Sequence, residues 1–517
     1  MHRFLTTAHA LPLVILSLSL FAPDNSHSQT PIGIFADHTD VGAVGSAGSA
    51  SYDEATGEYR ITASGTNMWF DNDQFHFVWN RIEGDFILTA MGGLEGEGVD
   101  PHRKFGWMVR SSLDDSSRYV DIAIHGDGLA SMQFRRGDGD DTEQVQSRVR
   151  NADVIQLSRR GGVYTASVAR SGDVLTSDHI ADLALGNEVY VGLFVCAHNN
   201  DVLETAVLRN VSITIPAAED FIPYRDYIGG NLEILDVETG RREALMRSPH
   251  PIQAPNWTLD GKSLIYNDSG LLYRFDLETR ETEVINTGFA NRNNNDHVLS
   301  FDGGQIGISH HSTEHEGQSL IYRLPVSGGE PVQVTEAGPS YLHGWSPDGS
   351  MMTFTGGRDD IYNIYVIPVE GGQEIQLTET PGLDDGSEYS PDGKFIYFNS
   401  TRSGRMKLWR MAPDGSNPEQ LTFDEMNDWF PHVSPDGKWI AFLSYEKDVE
   451  PGDHPFYKQV YLRLLPVDRP EGVRARVIAY VYGGQGTINV PSWSPDSRKV
   501  GFVSNSLIRN QKSESRN

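Results

Sequence analysis

Cysteine is almost missing from this 517-residue chain: Cys196 stands alone, so no intrachain disulfide can form and the fold has to stand on its core. It lies in the apolar run 191–196, surroundings that suit a small buried hydrophobe better than a nucleophile. Long apolar runs are also missing. The stretch 10–22 is too short to cross a bilayer comfortably; with His2 and Arg3 before it and polar residues 23–29 after it, it has the form of a cleavable secretory signal. Ser26 and Ser28 put small residues where the peptidase tests them, so cleavage is expected after Ser28, and no cysteine follows that could carry a lipid. Basic charge is in deficit, 42 Lys and Arg against 71 Asp and Glu, for a net charge of −29. That balance argues against nucleic acid or an anionic membrane surface as partner. The expectation is a periplasmic or extracellular protein with no transmembrane anchor after cleavage. Helical periodicity of any length is missing too, and the chain is too long for one ordinary core.

What is present is β grammar of two kinds. Residues 33–216 show short alternating apolar runs separated by Gly, Asp and Asn turns, the pattern of an antiparallel β-sandwich. Candidate strands include 58–63, 85–90, 105–110, 119–124 and 210–215. Trp69, the 75–78 and 84–86 runs, 106–113, 190–193 and 198–200 together resemble a bacterial concanavalin-like, laminin-G-like jelly roll, a module often attached to carbohydrate-active enzymes. The acidic stretch 136–141 reads as a solvated hairpin tip, with clustered oxygens that could take calcium as the alternative. Residues 217–229 read as a linker.

The second half is repetitive. Thr258-Leu259-Asp260-Gly261 is followed by five relatives with aspartates at Asp302, Asp348, Asp392, Asp436 and Asp496, mostly in the form Ser-Pro-Asp-Gly. The intervals are 42, 46, 44, 44 and 60 residues, which is blade spacing with an insertion in the fifth interval. Each turn leads into an apolar strand such as 394–398 or 438–442, and a second hairpin follows, turning at Gly371-Gly372 or Asp414-Gly415. Four strands per unit make a blade. At the ends, 231–245 looks like an outer hairpin with no inner one, and 492–503 like an inner hairpin with no outer one. Pairing them completes a sixth blade and removes an open sheet edge. The expected fold is therefore all-β: a β-sandwich, then a six-bladed β-propeller over 230–505 closed by an N-/C-terminal strand exchange, with a disordered tail over 506–517. The repeated turn resembles that of the TolB-like (PD40, WD40-like) propeller family.

In a four-stranded blade the two hairpin turns lie on one face of the disc, so the connections into the blades gather on the other, around one mouth of the channel. They carry His297, His343, Asp385, Glu388, Trp429, His432 and Asn489; connections from second to third strand add His310, His311, Arg358, Arg402, Asp453 and His454. His297 and His343 stand equally far before their turn aspartates and are expected to point the same way, His432 the opposite way; of His310 and His311, at most one should face the site. Such residues can equally satisfy backbone groups and channel water. As a site, the expectation is Asp385, Glu388 and Arg402 as catalytic groups; Trp429, His432, Arg358, Asn489, Asp453 and His454 as substrate-binding; and His297, His343, His310 and His311 as ligands of a divalent metal (Mn, Ca or Zn). The propeller also resembles the oligogalacturonate lyases, which implies a histidine-held metal in the mouth. The expected function is binding, and cleavage if it is an enzyme, of an oligo- or polysaccharide; the alternative is a non-catalytic scaffold holding a segment of an envelope protein.

Overall fold

Alternating apolar residues in the first half form two seven-stranded antiparallel sheets in a computed structural model that describes residues 31–469 and 472–508. Residues 1–28, expected to be a secretory signal, and residues 509–517 lie outside the described residues. Inward residues of both sheets, among them Trp107, Ile122 and Leu193 from one and Leu88, Leu157 and Leu208 from the other, share one core. The outer face of the first sheet is also covered. Phe75, Phe77, Met108, Tyr119, Phe194 and Cys196 form a second cluster there, which is why 104–110 and 119–125 are buried at every position instead of alternating. The Cys196 thiol is fully buried and donates to the Gly65 carbonyl; burial raises its pKa, as expected of an inert thiol. In the acidic stretch 136–141, Asp138 is taken by the Arg118 backbone and guanidinium.

The second half is a six-bladed propeller. Blades one to five are four-stranded sheets opening with Gln253–Trp257, Asn293–Leu299, Ser340–Trp345, Asp384–Tyr389 and Asn427–Val433. In the sixth sheet Gly230–Asp236 pairs on one side with Arg242–Ser248 and on the other with Lys499–Asn505, seven consecutive residues from Gly230↔Asn505 to Asp236↔Lys499. Past that strand, the Ser506 amide donates to Gly229 and the Leu507 amide to Ile215, so the held chain runs beyond Ser506.

The repeated turn explains the regularity. In each unit the Ser or Thr hydroxyl donates to the aspartate Oδ1, at 2.6–2.8 Å, and accepts the amide five residues ahead; the same Oδ1 accepts the amide two residues past the aspartate. The glycine after the aspartate is left-handed, φ +69° to +72° at Gly261, Gly303, Gly349, Gly393 and Gly437. Only Ser497 departs, at φ +61°.

The sandwich sits on blade five. Val154 and Ala169 pack with Tyr461, Val477 and Tyr480, and the Tyr480 hydroxyl donates to the Asp173 carbonyl. The outermost strands of blades two to four are two residues long, whereas that of blade five, Arg476–Gly483, has eight. A covered edge can be long without inviting aggregation.

Candidate functional site

First strands of blades one to five touch in succession, and each breaks its register once: between Gln253 and Asn256, Asn293 and His297, Leu342 and Gly344, Asp385 and Glu388, Trp429 and His432. A bulge of this kind re-aims the side chains inside it. Left-handed backbone marks three of them, at Ala254, Gly386 and Phe430. Adjacent blades are stitched at the same level by the residue seven after a turn aspartate: the Asn267 amide donates to the Asn293 and Asn294 carbonyls, the Ser309 hydroxyl accepts the Leu342 amide, the Thr355 hydroxyl donates to Asp385, and the Asn399 carbonyl accepts the Phe430 amide.

The bulges put one charged group together. His343, unpaired inside its bulge, brings Nε2 to 3.0 Å from Asp385 Oδ1, and His454 Nε2 lies 4.0 Å from Oδ2 of the same carboxylate. Phe430 backs both rings, with centroids 6.1 Å from His343 and 5.7 Å from His454. Burial alone would raise the Asp385 carboxyl; the His343 charge and hydrogen bond, with His454 and Thr355, instead bring it down to about 2. Burial likewise disfavours a charged His343, but Asp385, Asp296 and a backbone bond at Asn489 outweigh it and hold the imidazole above its ordinary value. Asp296 goes the other way. Burial, reinforced by Asp385 and opposed by His343, pushes it up to about 6. Tyr341 borders both acids; burial raises its hydroxyl, and the charges of Tyr362, Asp296, Asp385 and Tyr224 add to this. One carboxylate is thus fixed as an anion while its neighbour changes charge near pH 6.

Glu388 and His432 form a second pair, Oε2 to Nδ1 at 2.7 Å, with the other ring nitrogen on the Ile488 carbonyl. Trp493 Nε1 donates to the His432 carbonyl. This pair pegs blades four, five and six together. Burial raises Glu388 despite His432.

Other expected site residues lie elsewhere. His297 does not share its direction with His343: it sits past its bulge, paired opposite Ile308, with Nε2 on the Ile265 carbonyl, and burial lowers it to about 4. His310 accepts the Arg292 amide and packs on Phe289 and Tyr322, and His311 faces the Gly317 carbonyl, so neither joins His343. Arg402 is held by Asp384 over Phe398 and Trp409, and Arg358 by Glu374 over Tyr365; both are clamps within their blades. Trp429 is fully buried, its ring 4.5 Å from that of His454, and offers no stacking surface. The Asn489 side chain is spent on Gly486 and Gln485, while Asp453 is exposed in the loop that carries His454. Among the described residues no three His, Cys, Asp or Glu are placed to hold a metal ion. Manganese, calcium or zinc does not fit the four histidines, which go to four different surroundings.

A profile of the TolB β-propeller domain matches residues 343–451. An uncharacterized protein of Agrobacterium fabrum (strain C58) is 43% identical over 274 residues, 53% of this chain and 91% of that protein. A solved structure from Agrobacterium tumefaciens assigned to TolB is 42% identical, with a TM-score of 0.52 over 55% of this chain and all of that one. The chain belongs to the TolB β-propeller family. TolB from Acinetobacter baumannii is similar at 21% identity and a TM-score of 0.38, over 50% of this chain and 65% of that one.

Two members of the mouth of this TolB-like propeller were legible but not singled out. Asp296 lies between Asn295 and His297, and Tyr341 opens the 341–345 connection. A third, Tyr224, comes from the interdomain segment; it is exposed and rests on Phe456, 5.3 Å between centroids. Nothing in the repeat pattern points to it. Among the described residues no helix is long and apolar enough to cross a membrane.

Proposed function

We propose that this protein is an exported TolB-like scaffold whose propeller mouth captures a segment of an envelope protein without chemistry, while its N-terminal sandwich, read as a concanavalin-like jelly roll, braces blade five. The observation that carries this reading is the His343–Asp385–Asp296 group: every ionic partner in it is a histidine, and among the described residues no arginine or lysine pairs with it. A uronate has nothing there to pair with, whereas a peptide brings amide donors and amino groups to meet Asp385 and Asp296. Arg402 and Arg358, expected as a catalytic and a substrate-binding group, are tied up in their blades by Asp384 and Glu374. A displayed peptide library and an oligosaccharide array, each probed with wild type and with Asp385→Asn, test the reading: peptide binding lost in the variant supports it, and glycan binding with no peptide binding overturns it.

One observation favours the saccharide alternative. Two neighbouring acids held at about 2 and about 6 are the split that acid–base chemistry uses. On that reading Asp296 would deliver the proton, and Asp296→Asn would abolish product release from an oligosaccharide that wild type cleaves.

A further inference from the structure

Between the sandwich and the propeller lies a cavity of about 760 Å³, within the roughly 300–1,000 Å³ of small-molecule sites. One wall is mainly the second sheet of the sandwich, the facing wall is blade six, and Gln459, Tyr480 and Tyr482 of blade five complete it. The His343–Asp385 group takes no part in it.

The strand Glu204–Thr214 opens this space. Alternate residues are buried up to Leu208; its pairing with Phe86–Leu94 then breaks register between Arg209 and Ser212, and from Arg209 on no residue of the strand is fully buried. Asn210, left-handed at φ +51°, fastens the break to blade six: its side-chain amide donates to the Gly240 carbonyl, and its side-chain oxygen accepts the Arg242 amide. Ile213, Ile215 and Ile82 are left half-buried, and Ile34, Leu507 and Tyr52 on the same walls are 43%, 39% and 37% exposed. An apolar surface gathered in a cavity and still open to contact marks a binding site.

The charge of the cavity is the reverse of the chain's. Arg81, Arg242 and Arg247 line it against a single acid, Glu233, in a protein with 71 Asp and Glu to 42 Lys and Arg. Glu233 is taken by Arg242 through two nitrogens and by the Ser504 hydroxyl, and Arg81 pairs with Glu188. Arg247 is left over. Its Nε donates to Asn231 Oδ1 at 3.3 Å, and among the described residues no carboxylate lies within ion-pair distance of its guanidinium. A branched aliphatic wall beside an uncommitted arginine suits a run of methylenes that ends in an anion.

We propose that this cavity binds a single-chain anionic amphiphile, its acyl chain on the isoleucine wall and its anionic head on Arg247, supplied either as a free fatty acid or as a lysophospholipid. Calorimetry on the full-length protein at 150 mM salt, with dodecanoate, with lauroyl lysophosphatidylglycerol and with dodecyltrimethylammonium, each below its micelle concentration, reads the claim. One saturable site for an anionic chain is expected, weakened at least tenfold by Arg247→Gln and abolished by Ala244→Trp, whose ring would fill the cavity; the cationic chain should bind at least tenfold more weakly. Arg247 is exposed at the cavity wall, so its replacement keeps the test open should Ala244→Trp disturb the blade. Dodecanoate binding without lysolipid binding assigns the free acid, and the reverse assigns the lysophospholipid. No saturable site for either anionic chain, binding indifferent to both variants, or equal binding of the cationic chain would each overturn it.

Discussion

Asp296 should be a liability to the fold at neutral pH, and replacing it with Asn should make the protein more stable. Its carboxyl ordinarily titrates at 3.8 and is pushed up to about 6 in the mouth. Between those values the folded protein binds a proton that the unfolded chain does not, so stability falls as pH rises from 3.8 through 6 and then levels off. The gap corresponds to about 3 kcal/mol, since each pKa unit is worth about 1.4 kcal/mol. That gap is already net of His343, whose charge favours the ionised carboxyl. A net gain of about 2–3 kcal/mol at pH 7 remains, shrinking to near zero at pH 4. Urea unfolding followed by tryptophan fluorescence at pH 4, 5, 6 and 7, wild type against Asp296→Asn, measures the difference curve. A difference that does not change with pH, or a variant less stable at pH 7, would refute the reasoning. A buried acid kept at such a cost is the pattern of a binding or catalytic group rather than of a structural one.

Other consequences are as direct. Asp385→Asn removes the main support of the His343 charge and leaves burial in command, so the His343 titration followed by NMR should drop from above its ordinary 6.5 to below it. Asp385 itself, held down at about 2, contributes stability that is complete above 3.8 and lost as pH falls toward 2; in Asp385→Asn that part of the acid unfolding curve should be missing. Gly349→Ala should cost about 1–2 kcal/mol in a thermal melt through backbone strain alone, because φ is +71° and an added Cβ would meet nothing. Ending the chain at Arg498 removes the partner of Gly230–Asp236 and leaves a sheet edge open, so the shortened protein should aggregate in light scattering where the full one does not.

The blades were easy to read because the Ser-Pro-Asp-Gly turn is local: hydroxyl, carboxylate and left-handed glycine act within five residues and repeat at blade spacing. Blade contents were legible for the same reason. The mouth was harder, since counting back from a turn aspartate assumes unbroken strand alternation, and each first strand breaks it. That is why His297 and His343, equally spaced, end on the Ile265 carbonyl and on Asp385. Arg358 and Arg402 misled for another reason: a lone arginine in a loop looks free until the acid that holds it, Glu374 or Asp384, is placed across the sheet. The covered outer face of the first sandwich sheet was invisible because its cover, held by Asp73 on Arg110 and Arg135, is made by distant contacts.

The central claim is that the His343–Asp385–Asp296 group is a receptor for peptide. A benzophenone side chain placed at Tyr341, with a second protein carrying it at exposed Phe423 on the blade rim, tests this in a mixture of displayed peptides and labelled oligosaccharides. Peptide crosslinks at Tyr341 that vanish with Asp385→Asn and are missing at Phe423 are expected. Crosslinks to saccharide at Tyr341, or peptide crosslinks equal at both positions, would contradict it.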